Sequence, residues 1–94
     1  MSLNISVHFD LDVVNPFQNV DTEQSMRAYR AALHDALLAA YPKQNVSVTF
    51  SVSTGGGHSL YVEDDQHNVV EAEQERVIDI ENSVWEGQTW LRFE

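Results

Sequence analysis

Apolar and polar residues alternate without a break from Leu3 to Val13. Leu3, Ile5, Val7, Phe9, Leu11 and Val13 fall on one side, Asn4, Ser6, His8, Asp10 and Asp12 on the other. A period of two belongs to a half-buried β-strand, because successive side chains leave a strand on opposite faces. Asn15-Pro16 then turns the chain. Between Asp21 and Pro42 the period lengthens: Met26, Tyr29, Leu33, Ala36, Leu37 and Ala40 share one side of a 3.6-residue wheel, which predicts an amphipathic helix. Asp21 and Gln24 stand at capping-box spacing. Pro42 marks the end, since the residue before a proline avoids helical geometry.

Period two returns in "NVSVTFSVS", with Val46, Val48, Phe50 and Val52 on one face and Ser47, Thr49, Ser51 and Ser53 on the other. "TGGG" reads as a connection and "HSLYVE" as the next strand, so the two strands are expected to pair as a hairpin. Asn68 with Glu71 gives a second capping box, opening a helix that runs to about Glu86 with Gly87 at the stop position. On its wheel Val69, Val70, Val77, Ile80 and Val84 cluster; Glu71, Glu75 and Asp79 lie opposite, and Glu73 intrudes on the apolar side. "QTWLRF" predicts a fourth short strand.

The resulting order, β-α-β-β-α-β, predicts a single α+β domain over residues 1–94. It would be a two-layer sandwich whose four-stranded antiparallel sheet carries both helices on one face. That is the split βαβ plan of ferredoxin-like domains. The resemblance is to a widespread architecture, and it brings no function with it.

Charge changes the picture more than composition does. The net charge is −10, and residues 63–94 hold ten acids against two bases. Binding to nucleic acid requires Lys and Arg to neutralise phosphates, so direct contact with it is not expected, nor is attachment to anionic lipid. There is no cysteine, which removes disulfide and thiolate chemistry and fits a reducing, cytoplasmic setting. No apolar run approaches the ~18 residues of a membrane helix, and the opening residues predict no signal peptide.

With helices on one face, the other face of the sheet would be open. It would present His8, Asp10, Asp12, Thr49, Ser51, Tyr61 and Trp90 to a partner, although Trp85 and Trp90 also read as a core seam. His8, Asp10 and Asp12, joined by His58, are the residues that would hold zinc or manganese. Alternate residues of a strand lie ~6.5 Å apart on a flat surface, however, so no metal or other cofactor is expected. The glycine run has neither a lysine nor a following helix, unlike a phosphate loop. No serine sits in a nucleophile elbow, and no enzyme activity is expected. The acids Glu71, Glu75 and Asp79 offer a second surface.

The leading expectation is a non-enzymatic module acting through protein–protein contact, as a homodimer. Two other readings stand beside it. One is an acidic inhibitor occupying the nucleic-acid-binding surface of a partner. The other is a small metal-binding domain or metal-dependent enzyme using His8, Asp10 and Asp12.

Overall fold

A computed structural model describes residues 3–10, 19–51 and 58–93. Its elements are β1 (Asn4–Phe9), α1 (Thr22–Ala40), β2 (Asn45–Phe50), β3 (Ser59–Glu63) and α2 (Glu71–Gly87). Together they make an α+β fold in β-α-β-β-α order, with two helices on a mixed three-stranded sheet. It is broadly ferredoxin-like in its two-layer build.

The strand order is β2-β1-β3, with β1 parallel to β2 and antiparallel to β3. This corrects two expectations. The sheet is mixed and not antiparallel, and β2 and β3 form no hairpin because β1 lies between them. The reason lies in burial. Ile5, Val7 and Phe9 are all buried, whereas β2 and β3 each bury one residue, Val48 and Val62. The most apolar strand takes the centre, where both its edges are paired. A helical crossover from β1 to β2 then requires the parallel pairing, which a tight turn cannot make.

Helix α1 starts where the sequence places it, with Asp21 Oδ1 accepting the Gln24 N–H at 3.1 Å. Its buried residues Met26, Tyr29, Leu33 and Leu37 pack on the Ile5–Val7–Phe9 side of the sheet together with Val77 of α2. Fully burying side chains of this size contributes roughly 1.5–3 kcal/mol each. An aromatic column completes the core. Tyr29 meets Phe9 edge-on with ring centres 4.9 Å apart, and meets Trp90 in the same manner at 4.9 Å.

Helix α2 is capped differently from expectation. Its N-cap is Val70, which supplies no side-chain bond, and Asn68 lies in the preceding turn. There Asp64 Oδ1 accepts the N–H groups of Gln66 (2.8 Å) and Asn68 (3.0 Å), while His67 takes a left-handed φ of 64°. These bonds, that of Asn68 first, hold the Asp64 carboxyl below its ordinary range. At the other end Gln88, not Gly87, adopts the left-handed stop, with φ 56°.

The expected fourth strand is absent among the described residues. Residues 88–92 turn along the N-terminus of α1, and Phe93 makes only an isolated bridge to Val20. Trp90 explains the departure. Its ring is buried and its Nε1–H donates to Val84 O (3.0 Å) and Trp85 O (3.3 Å), which folds the segment back onto α2.

Candidate functional site

The uncovered face of the sheet is a lattice of nine side chains in three rows. Register places Asn45, Asn4 and Glu63 in one row, Ser47, Ser6 and Tyr61 in the next, and Thr49, His8 and Ser59 in the third. The rows are tied sideways. Asn45 Nδ2–H donates to Asn4 Oδ1 at 3.0 Å, and His8 Nδ1 and Thr49 Oγ1 are hydrogen-bonded at 2.8 Å. Tyr61 is the one large side chain, 45% exposed.

Two expected members of this face are buried. Asp10, just past the end of β1, is only 2% exposed. Trp90 is core and never reaches the sheet's open side. Ser51, half-buried just past β2, keeps the parity of Ser47 and Thr49, and Asp12 lies outside the described residues. The metal set is also divided by the sheet. Ser59 pairs with His8, so His58 projects from the opposite, helix-covered face, where it meets α2. No group of three potential ligands gathers among the described residues.

Beside the lattice runs the outer edge of β2. Asn45 N–H bonds Leu3 O and Ser51 N–H bonds Phe9 O, both at 3.0 Å. Backbone groups alternate sides along a strand, so Val46, Val48 and Phe50 direct their N–H and C=O away from β1. Of these six groups one is occupied: Arg30 Nε–H donates to Val48 O over 2.8 Å. The other five have no protein partner among the described residues. A charged side chain laid over an edge is a common guard against strand pairing. Sequence reasoning passed over Arg30 because it belongs to the polar side of α1, where periodicity says nothing about reach.

On the helix side, a cleft of about 220 Å³ is lined by Tyr29, His58, Glu81, Asn82 and Trp85. His58 Nε2–H donates to Glu81 Oε2 at 2.8 Å, since a carboxylate oxygen accepts. Burial, followed by the Glu81 charge, pushes the Tyr29 hydroxyl well above its ordinary range, so it stays protonated as a donor. At the other end of the helices Tyr41 O–H donates to Glu73 Oε2 at 2.6 Å, and the Arg76 guanidinium lies 5.1 Å from the centre of the Tyr41 ring. That bond accounts for an acid on the apolar side of α2.

Glu71, Glu75 and Asp79 are exposed along α2. The charge is split between the two edges of the molecule. Residues 19–51, which form α1 and β2, hold three acids and three bases; residues 58–93, which form β3 and α2, hold nine acids and two bases. No helix among the described residues is long and apolar enough to cross a membrane. In comparisons with known proteins the chain matches no family model, no curated protein and no solved structure.

Proposed function

We propose that the protein is a small, acidic, non-enzymatic binding module that works through protein–protein contact, with the outer edge of β2 as the contact. The observation that carries this reading is the row of five main-chain groups on Val46, Val48 and Phe50 that have no partner among the described residues. The flat face alone is too small. Three strands at ~4.8 Å spacing and six residues at ~3.3 Å rise cover about 300 Å², against about 800 Å² per partner in a standard interface. A strand added at the edge contributes main-chain hydrogen bonds as well as area, and it extends the lattice. It would also supply the fourth strand that the sequence leads one to expect. The setting we propose is cytoplasmic.

Affinity capture from a host extract tests this, with wild type and a Ser47→Glu/Thr49→Glu variant as baits. Both positions are exposed on β2, so the variant adds charge beside the edge without touching the core. A protein held by wild type and released by the variant supports the reading. One held equally by both places the contact elsewhere and sinks it.

The division of charge supports a second reading, in which the α2 side binds a basic protein and masks its nucleic-acid-binding surface. A partner of that kind would dissociate in molar salt, because exposed charges are screened. It would also be lost from a Glu71→Gln/Glu75→Gln/Asp79→Gln bait; retention by that bait in molar salt rules the reading out.

A further inference from the structure

The occupant of the β2 edge follows from its symmetry and charge, given the edge contact proposed above. We propose that a second copy of the chain pairs there, β2 against β2 and antiparallel, on a two-fold axis through Val48, and that Arg30 sets the strength of the pairing. The three outward-facing residues are centred on Val48. A two-fold at that point sets Val46 opposite Phe50 of the second copy and Val48 opposite its own copy, so every outward N–H meets a C=O. Four of the six bonds can form at once. The two at Val48 require Val48 O, which Arg30 now occupies.

Side chains agree with this arrangement on both faces. On the open face Ser47 and Thr49 of one copy lie opposite Thr49 and Ser47 of the other, small and uncharged. On the helix side Val46 and Phe50, half-buried beside Val48, extend the apolar layer across the axis.

Charge selects this edge over the other. Two copies of a chain with a net charge of −10 repel wherever acids meet, yet β2 has no charged residue and residues 19–51 balance. The β3 edge lies on the acidic side and is partly closed, with Val70 N–H donating to Val62 O at 3.0 Å. Arg30 opposes the pairing twice, by holding Val48 O and by facing its own copy across the axis. The wild-type dimer is therefore weak, and removing the guard strengthens it.

Sedimentation and light scattering from about 1 to 500 µM test this on four proteins, with circular dichroism confirming that each is folded. Wild type should associate at the upper end of the range. Arg30→Ala should associate about tenfold more tightly. Ser47→Glu/Thr49→Glu places two like-charged pairs across the axis and should weaken association by about tenfold. Ser47→Glu/Thr49→Lys replaces them with opposite charges and should restore it. Arg30→Ala that is no tighter than wild type overturns the proposal, as does a double-Glu variant that associates as wild type does. If all four stay monomeric while capture of another protein still depends on Ser47 and Thr49, the second copy is excluded and the edge contact survives. If the double-Glu variant changes neither measurement, both fall.

Discussion

The hydroxyl of Tyr41, just past the end of α1, donates to Glu73 in the first turn of α2 across 2.6 Å. Burial, then the hydrogen bond and negative charge of Glu73, push the Tyr41 phenol up to about 12 from 10.0, against an opposing effect of Arg76. The neutral phenol is thus favoured in the folded state. Its stabilisation is fully present below pH 10 and is lost as pH rises from there through about 12. Thermal melts should therefore fall in that alkaline window, and Tyr41→Phe should flatten part of the decline. At neutral pH the same variant should cost about 1–2 kcal/mol, because the Glu73 carboxylate loses a charge-assisted bond. A Tyr41→Phe melt that keeps the full alkaline decline would show that the linkage lies elsewhere.

Ser25 holds the C-terminal segment to α1. The Arg92 N–H donates to Ser25 Oγ at 2.8 Å, and Ser25 O–H donates back to Arg92 O at 3.1 Å. Ser25 is fully buried. Ser25→Ala should leave the Arg92 N–H without its partner and cost about 1–3 kcal/mol in urea unfolding. Amide exchange at Arg92 should rise with it. Unchanged exchange there would mean the segment is held by its other contacts, Trp90 and the Asp21 N–H bond to Arg92 O among them.

Acid should act on the turn between β3 and α2. Asp64 accepts two backbone N–H groups there, and its folded carboxyl is lowered from 3.8. A lowered carboxyl stabilises above its unfolded value, and that contribution disappears as pH falls through the folded one. Asp64→Ala should lower the melting temperature at neutral pH and shrink the difference between neutral and strongly acidic melts. Equal pH dependence in both proteins would refute the assignment.

Phe9 is the keystone of the aromatic column, fully buried between Tyr29 and Phe50. Phe9→Ala should cost about 3–5 kcal/mol, mostly as cavity. A loss under 1 kcal/mol in denaturant titration would mean the core collapses around the gap.

The elements were legible in the sequence because burial writes its period directly into residue order. The period of two in Ile5, Val7 and Phe9 and the wheel of Met26, Tyr29, Leu33 and Leu37 both appear as expected. Pairing was not legible. Alternation states which face of a strand is apolar but not which strand lies beside it, so the central place of β1 came only from the fold. Trp90 misled for a related reason. "QTWLRF" has strand-like composition, but an indole that finds two carbonyl acceptors on α2 outweighs propensity. Of the candidate site, His8, Thr49 and Tyr61 stand on the open face as their alternation implies. Asp10, just past the end of β1, is buried where alternation alone implies exposure.

The central position of β1 has a consequence for how the chain acquires its structure. The strand made first is the one every other strand needs, and its ladder with β2 joins residues 41 positions apart. Its ladder with β3 waits longer still, until His8 can find Ser59 and Asn4 can find Glu63. Contacts of such separation must be reached against loop-closure entropy before they return any stability, and they slow folding. On the ribosome the sheet cannot be completed until most of the chain has emerged. Until then the apolar run of Ile5, Val7 and Phe9 is a sticky, unpaired segment, and its shelter during synthesis depends on whatever else is near.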